Sequence, residues 1–345
     1  MSPTTLRQVL RDSYLTLRTG LLWPLRLLEP QSQLSLGAVK KILVIRKDRL
    51  GDLVLSLPFL KNLRMAFPGA EITLLAQSFA GKIVSDEADR IIQADEPDFH
   101  SKLKAMRFDL AIDMHYDYTL STALLCRASG ARWRAGFDIS GRGFLFNIRV
   151  PAMERKHFIE ETADILKTLG IQPELGVPSV FVRDGDTAAA AALLAEKGLS
   201  RKTLAAIHPG GFYKGQRWPA PRFTELLNRL HENRKLSFVL LGSAQDGDLL
   251  SEMAAGLHGP YLNAGGLELR LCAALMAQTS FFIGNNSGPL HLACALGLPT
   301  VSTMGPTDPV RWHPVGARSI VVQKPKVEDI TAAEMEQAVL KLLGA

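Results

Sequence analysis

Short runs of apolar residues alternate with longer amphipathic stretches along this chain from Lys41 onward. Four runs in the first half have the length and composition of buried strands, at residues 42–45, 72–75, 91–94 and 110–114. Apolar positions at helical spacing lie between them, at residues 53–65, 102–106 and 120–127. Strands that alternate with helices predict a parallel sheet covered by helices on both faces.

The second half of the chain repeats this pattern after a stretch rich in Pro and Gly at residues 170–178. Predicted strands lie at 204–207, 238–241, 281–283 and 300–303. Predicted helices lie at 187–197, 222–233, 245–255, 269–277 and 289–296. We therefore expect an N-terminal extension at 1–38, a first domain at 39–175 and a second domain at 176–325. A C-terminal helix at 326–345 is a candidate for crossing back to the first domain.

Composition narrows the functional classes. The chain has 345 residues with 40 Lys and Arg against 34 Asp and Glu, a net charge of +6 that slightly favours anionic partners. It has no long basic block with interleaved aromatics, so nucleic acid is not an expected partner. Cys126, Cys272 and Cys294 are isolated and odd in number, which indicates a reducing compartment, the cytoplasm.

The first 38 residues have a pattern of their own. No apolar run approaches the length of a membrane span, and the arginines are scattered rather than gathered as in a signal peptide. Leucines recur at spacings of four and seven, at positions 6, 10, 17, 21 and 25, with Arg7, Arg11 and Arg18 on a neighbouring face. Such a segment suits peripheral contact with the cytoplasmic face of the inner membrane. Packing on the protein body, or partial disorder, is the alternative.

Two turns that follow predicted strands suit a phosphate group. Residues 284–295 read Gly-Asn-Asn-Ser-Gly-Pro-Leu-His-Leu-Ala-Cys-Ala, and the unpaired N–H groups that begin a helix near Ser287 can bind an anion. The alternative is an ordinary turn with Ser287 as N-cap. Residues 207–219 add Gly210 and Gly211, which permit close approach of a ligand, and the cations Lys214 and Arg217. Together the two turns predict a nucleotide diphosphate.

A third segment, residues 42–52, places Asp52 where the first strand passes into its helix. The three segments resemble the family 9 glycosyltransferases, the ADP-heptose:lipopolysaccharide heptosyltransferases. The matching pieces are Arg-Leu-Gly-Asp at 49–52, His-Pro-Gly-Gly and Gln-Arg-Trp-Pro within 208–219, Asn-Ser-Gly-Pro-Leu-His-Leu at 286–292, and Gly-Pro-Thr-Asp-Pro at 305–309. Any one piece is weakly specific, but four in the family's order are strong, and residues 1–38 lie outside the resemblance.

The resemblance implies the GT-B fold, two Rossmann-like domains facing across a cleft. It implies an inverting transfer of heptose from ADP-L-glycero-D-manno-heptose to lipopolysaccharide inner core, without a metal or other cofactor. The matching family Asp implies that Asp52 is the catalytic base. The alternative is a carboxylate favoured by the positive end of its helix. Asp48 is the local competitor.

Donor contacts are predicted next. The diphosphate-binding candidates are Gly210, Gly211, Lys214, Gln216, Arg217, Asn286, Ser287, Gly288 and His291. Many relatives have Lys at the position of Gln216 and Asp at the position of Asn286. Which cation of this chain binds the leaving diphosphate therefore stays open. Asp246 is a candidate for ribose binding or an N-cap. The Asp-Gly-Asp pairs at 184–186 and 246–248 resemble metal-binding carboxylates only superficially.

Acceptor contacts are predicted for Arg49, His115, Arg132, Arg134 and Arg142, since the inner core carries carboxylates and phosphates. Ordinary solvated loop surface is the alternative for His115 and for the last three arginines. Three other functions remain as competitors: transfer from another nucleotide sugar to a different surface glycan, a non-catalytic protein that binds the membrane surface, and a NAD-dependent oxidoreductase. The oxidoreductase is disfavoured because no Gly-x-Gly-x-x-Gly follows the first strand.

Overall fold

A computed structural model describes residues 3–84, 87–152, 154–316 and 318–344, without the side chains of residues 3–7 and 202. The chain divides into two compact units. The first unit consists of Met1–Asp48 and Ser56–Gly176, and the second of Arg49–Leu55 and Val177–Ala345. The short segment that begins at Arg49 therefore belongs with the C-terminal half of the chain, although its neighbours in sequence belong to the first unit.

The strands of the described residues are β1 (Lys41–Arg46), β2 (Glu71–Ala76), β3 (Arg90–Gln93), β4 (Leu110–Asp113), β5 (Trp133–Phe137), β6 (Ile148–Val150), β7 (Leu204–His208), β8 (Ser237–Gly242), β9 (Tyr261–Gly265), β10 (Phe281–Asn285), β11 (Thr300–Met304) and β12 (Ser319–Gln323).

The α-helices of the same residues are α1 (Pro3–Leu22), α2 (Leu50–Leu55), α3 (Leu57–Ala66), α4 (Phe99–Ala105), α5 (Ser121–Ala128), α6 (Phe158–Thr168), α7 (Asp184–Glu196), α8 (Ala220–Arg234), α9 (Gly247–Ala255), α10 (Leu269–Ala277), α11 (Gly288–Ala295), α12 (Pro309–Trp312) and α13 (Ala332–Leu343).

The first unit is built on a parallel sheet with the strand order β3-β2-β1-β4-β5-β6. Its central strands β1 and β4 are buried along nearly their whole length, which explains their continuous apolar runs. The strand order reverses between β1 and β4: the chain adds strands towards one edge of the sheet up to β3 and towards the other edge from β4 onward. Ligands of such sheets bind outside the carboxyl ends of the strands at this reversal point.

The second unit repeats the arrangement with the order β12-β11-β10-β7-β8-β9, so its reversal point lies between β7 and β10. Its core includes the buried face of α13, through Met335, Val339 and Leu342. The apolar face of this helix is thus buried in the core of the second unit, and its crossing back to the first domain stays a prediction.

All eight predicted strands are present, within a residue or two of the expected bounds, and four further strands were not predicted. The helix expected at 53–65 is two helices, α2 and α3, separated at the buried Ser56. The break matters because it assigns α2 to the second unit and α3 to the first. The parallel sheets with flanking helices confirm the predicted α/β class.

The N-terminal segment forms α1 and a 3-10 helix at Trp23–Leu28. It is attached to the first unit by polar contacts: Arg18 donates to the carbonyl oxygen of Ser140, Arg26 pairs with Asp138, and the Trp133 indole donates to the carbonyl of Gln33. Arg7 was predicted on the basic face, but its side chain lies outside the described part of the chain. Among the helices of the described residues, none is long and apolar enough to cross a membrane.

Candidate active site

The candidate site lies at the reversal point of the second sheet. Strands β7 and β10 pair there in parallel, with Ile283 beside Ile207 and Gly284 beside His208. The two predicted phosphate turns follow these strands, so the sheet brings the 208–219 loop beside the 284–295 turn. Gly211 adopts a φ of 151°, a conformation that residues with a side chain rarely adopt.

Asn285, the last residue of β10, holds the loop in place. Its side-chain amide donates to the carbonyl oxygens of Pro209 (2.7 Å) and Gly210 (3.0 Å), and its Oδ1 accepts from the Trp218 N–H (2.9 Å). The Trp218 ring is buried, and its indole N–H donates to the carbonyl of Ile330. Trp218 thus braces the loop, and Asn285 fixes both ends of it.

Close contact between α2 and α11 places Asp52 beside the 284–295 turn. A Cβ on Gly288 would lie 3.0 Å from the Gly51 nitrogen, and one on Gly51 would lie 3.1 Å from His291 Cδ2. A side chain at either position would be unusually tight against the other helix. The half-buried Asp52 lies in the first turn of α2, where its Oδ2 accepts from the Arg49 N–H at 3.3 Å.

The Ser287 hydroxyl does not cap its helix. Ser287 precedes α11 with extended backbone, but its side chain makes no capping hydrogen bond. The hydroxyl instead donates to the carbonyl of Asn285 and lies 3.3 Å from His208 Nδ1. Pro289 has no N–H and the Leu290 N–H donates to the Ser287 carbonyl, so the Gly288 N–H is the group of this first turn that remains for a ligand. The uncapped start of α11 favours the phosphate interpretation of this turn over the simple N-cap.

A cavity of about 270 Å³, the first cavity, joins these groups. Its walls bring together the predicted base and much of the predicted donor site: Arg49, Gly51, Asp52, Gly211, Phe212, Tyr213, Gln216, Asn285, Asn286, Ser287, Gly288, His291 and Trp312. The Asn286 side-chain nitrogen is buried and has no hydrogen-bond partner within the described residues. It is a donor suited to a ligand oxygen.

A second cavity of about 540 Å³ shares Arg49, Gly211, Phe212, Ser287 and Gly288 with the first. Its polar side carries Lys214, Arg217 and Asp246. Its apolar side is contributed by Leu241, Leu267, Leu269, Cys272, Met276, Pro289 and Leu292. An apolar wall opposite a few polar groups is typical of a site for a planar base and its sugar.

Asp246 is a buried residue that lines the second cavity, and each of its carboxylate oxygens contacts a different residue. Its Oδ2 accepts from the Ser243 N–H and hydroxyl, in the reciprocal arrangement of a capping box. Its Oδ1 lies 3.3 Å from Arg217 Nη2, and the Nε of the same arginine donates to the Gly211 carbonyl. Asp246 therefore orients Arg217, and ribose binding by Asp246 stays a prediction. Lys214 is exposed at the start of the 3-10 turn Lys214–Gln216, whose Gln216 accepts from Thr307.

His208 belongs to the His-Pro-Gly-Gly piece, and the sequence predicts no role for it. Burial lowers the pKa of His208 to about 4, and the opposing charge of Asp246 offsets the burial only in part. The imidazole is therefore neutral near pH 7. It lines the second cavity at the end of β7 as a hydrogen-bonding group without charge.

In the first unit, His115 bridges two carboxylates at the reversal point between β1 and β4. Its Nδ1 lies 2.7 Å from Asp113 Oδ1 and its Nε2 lies 2.9 Å from Asp48 Oδ1. Burial alone would lower the pKa of His115, but hydrogen bonds and charges from Asp113 and Asp48 raise it to about 9. Arg142 pairs with the other oxygen of Asp113 and donates to the His115 carbonyl.

This network includes residues of the predicted acceptor site. Arg142 has no exposed side-chain surface, and Arg134 is buried with its guanidinium paired to Glu29. His115 is also buried. All three side chains are buried among internal partners, and their contact with an acceptor stays a prediction. Arg132 is exposed beside the Trp133 ring, and its contact with an acceptor stays a prediction.

One carboxylate of each Asp-Gly-Asp pair has an arginine partner. Asp186 lies in the first turn of α7 and pairs with Arg270 at 3.2 Å, while Asp246 pairs with Arg217. Across the described residues, no cluster of three or more His, Cys, Asp or Glu side chains is arranged to hold a metal ion.

The sheet order and the nucleotide-suited cavities define the GT-B class of protein. The solved structure of a family 9 glycosyl transferase from Veillonella parvula DSM 2008 has a TM-score of 0.78 with this chain, at 21% identity, over 88% of this chain and 97% of its own. E. coli ADP-heptose lps heptosyltransferase II gives 0.72 at 22% identity, over 88% and 98%. These likenesses establish the fold.

Sequence comparison identifies the family. The model of glycosyltransferase family 9 (heptosyltransferase) matches residues 98–342. Lipopolysaccharide heptosyltransferase 2 of Escherichia coli K12 is 26% identical over 310 residues, which are 82% of this chain and 88% of that protein. This chain belongs to glycosyltransferase family 9 and is a glycosyltransferase, as the motifs predicted.

Proposed function

We propose that this enzyme transfers L-glycero-D-manno-heptose from its ADP conjugate to lipopolysaccharide inner core, with inversion and without a metal. Donor and acceptor are supported by the names of its relatives, a lipopolysaccharide heptosyltransferase and an ADP-heptose-dependent one. The observation that carries the proposal is the placement of Asp52 in one cavity with Asn286, Ser287 and the N-terminus of α11.

In the proposed reaction, Asp52 accepts the proton of the acceptor hydroxyl while the hydroxyl oxygen bonds to the anomeric carbon. The bond between that carbon and the diphosphate oxygen breaks, and its electron pair leaves with ADP. Attack opposite the leaving group inverts the anomeric configuration. The charge on ADP is met by the Gly288 N–H that begins α11 and by Lys214 and Arg217, which supports a mechanism independent of metal.

The second cavity accommodates the nucleoside in this proposal. Leu241, Leu269 and Met276 contribute apolar surface for the adenine, and Asp246 is the carboxylate available for the ribose hydroxyls. Neutral His208 suits this position, since a charged imidazole would compete with Arg217 for the carboxylate.

Replacing Asp52 by Asn tests the base. The amide keeps the size of the side chain and an oxygen for the Arg49 N–H, but it cannot accept the proton. Transfer should fall by roughly 10²–10⁴-fold while ADP affinity is kept. Asp248→Asn, at an exposed carboxylate in the first turn of α9, is the matched control. Transfer by Asp52→Asn within about threefold of wild type would remove Asp52 as a base carrying that contribution.

We also propose that the enzyme works in the cytoplasm, in peripheral contact with the inner membrane through residues 9–28. Large apolar side chains of this segment are exposed: Val9, Leu10, Tyr14, Leu17, Leu21, Trp23, Leu25, Leu27 and Leu28. A lipid bilayer is the proposed cover because the proposed acceptor is itself anchored in lipid.

The contacts of the arginines change the expected character of this binding. Arg18 and Arg26 hold the segment to the first unit. Among the arginines of residues 9–28, Arg11 therefore has the most exposed side chain, which is half-exposed. Apolar burial should therefore dominate over attraction to anionic lipid.

Vesicle co-sedimentation tests this surface. Leu21→Gln combined with Leu27→Gln and Leu28→Gln should weaken binding to vesicles with anionic headgroups by more than about tenfold. Leu175→Gln, at another exposed leucine, should not. Wild-type binding should depend weakly on salt. Equal binding by all variants, or binding abolished by moderate salt, would contradict the proposal.

A further inference from the structure

The Arg49 guanidinium contacts two exposed aromatic rings. Its Cζ lies 3.7 Å from the centroid of the Phe212 ring and 4.7 Å from that of Tyr213, and its Nη2 donates to the Tyr213 hydroxyl at 3.1 Å. The two rings meet edge to face, at 5.1 Å. Phe212 is 71% exposed and Tyr213 53% exposed, so burial in the core does not explain their position.

Arg49 borders both cavities. It lines the first cavity with Asp52 and the second with Arg217, and Phe212 lines both as well. A donor whose nucleoside occupies the second cavity and whose sugar reaches Asp52 must pass this shared wall. The group that joins nucleoside and sugar in such a donor is the diphosphate.

Charge distinguishes the two cavities. The second cavity has Lys214 and Arg217 besides Arg49. Among the described residues that line the first cavity, Arg49 is the sole Arg or Lys, and the neighbouring Gln216 is neutral. A phosphate next to the transferred sugar therefore has one cation within the first cavity to meet its charge.

We propose that Arg49, held by Phe212 and Tyr213, binds the sugar-linked phosphate of the nucleoside diphosphate donor. This inference rests on the proposed function and moves Arg49 from the acceptor site, where the sequence placed it, to the donor site. The planar guanidinium can bind two phosphate oxygens while it contacts the rings. A lysine ammonium binds phosphate as a point charge and has no flat surface to place against a ring.

The test compares nucleoside diphosphate with monophosphate binding by calorimetry. Arg49→Ala should lower ADP affinity roughly tenfold or more and leave AMP affinity nearly unchanged, because AMP lacks the second phosphate. Arg49→Lys should restore ADP affinity only in part. Phe212→Leu with Tyr213→Leu should also weaken ADP binding, since the arginine then loses its support. Phe181→Leu, at an exposed phenylalanine elsewhere in the second unit, is the control.

Equal losses for ADP and AMP in Arg49→Ala, full restoration by Arg49→Lys, or no loss at all would overturn the proposal. The same titrations with UDP and UMP separate this inference from the proposed donor. A diphosphate-specific loss seen with UDP alone would support Arg49 and contradict ADP-heptose as donor. Wild-type protein that prefers neither diphosphate over its monophosphate would contradict the role of Arg49 directly.

Discussion

His115 should make the stability of the first unit depend on pH in a defined direction. The side chain is buried between Asp113 and Asp48, and its pKa rises from 6.5 to about 9 on folding. A pKa that is raised on folding stabilises the protein fully below the unfolded value and loses that contribution as pH rises through the folded value. The shift corresponds to about 3 kcal/mol, at 1.36 kcal/mol for each unit.

His115→Gln removes the titrating group while it keeps a hydrogen-bonding side chain of similar length. The free energy of unfolding of wild type minus that of His115→Gln should therefore be about 3 kcal/mol larger at pH 6 than at pH 9.5, with most of the change between pH 6.5 and 9. Asp113 does not mask the effect. Burial raises the pKa of Asp113, but the charges of Arg142 and His115 lower it overall, so that carboxyl titrates in the acid range.

Urea denaturation followed by tryptophan fluorescence at several pH values measures this difference. Trp133 is buried in the first unit and reports its unfolding. His258→Gln, at an exposed histidine in the second unit, is the control. A wild-type minus His115→Gln difference that stays constant from pH 6 to pH 9.5 would refute the charged, carboxylate-bridging state of His115.

Three further predictions follow from the second unit. Arg217→Ala should weaken ADP binding and slow transfer at a cost of about 3 kcal/mol in the transition state, while the exposed Lys214→Ala should cost less; unchanged donor affinity and rate in both would mean that the loop is wrongly assigned. Gly288→Ala should reduce transfer at least tenfold, because its Cβ would lie 3.0 Å from the Gly51 nitrogen and push α2 away with Asp52; an unaffected rate would show that the helix contact does not position the base. Enzyme treated with EDTA should keep its activity in a transfer assay, and a loss that Mg²⁺ or Mn²⁺ restores would bring the Asp-Gly-Asp pairs back as ligands.

The sequence could predict those strands and helices whose burial produces a regular pattern of apolar residues. Strands such as β1, β7 and β10 are apolar along most of their length, and the turns that follow them carry glycine and polar residues. Strand β5 was missed because Arg134 and Gly136 interrupt its apolar pattern. Gly136 is needed there, since a Cβ would lie 2.4 Å from the Phe146 ring. The segment around Arg134 therefore looks like a loop in sequence, although it is a buried strand.

The sequence alone could not predict the contacts that assemble the site, because the partners in these contacts are distant in the chain. Asn285 binds the carbonyls of Pro209 and Gly210 only because β10 pairs with β7, which no local pattern shows. The bridge from His115 to Asp48 likewise depends on the pairing of β1 with β4. The apolar wall of the second cavity comes from separate elements, each of which looks like ordinary core in sequence.

The central claim is that this enzyme moves heptose from ADP-heptose to lipopolysaccharide core. The most direct measurement incubates the purified protein with deacylated core acceptor and, in separate reactions, ADP-L-glycero-D-manno-heptose and sugars linked to UDP or GDP. Mass spectrometry then identifies the product. We expect the acceptor to gain one heptose with the ADP donor and nothing with the others. No product from ADP-heptose, together with transfer from a UDP- or GDP-sugar, would contradict the account.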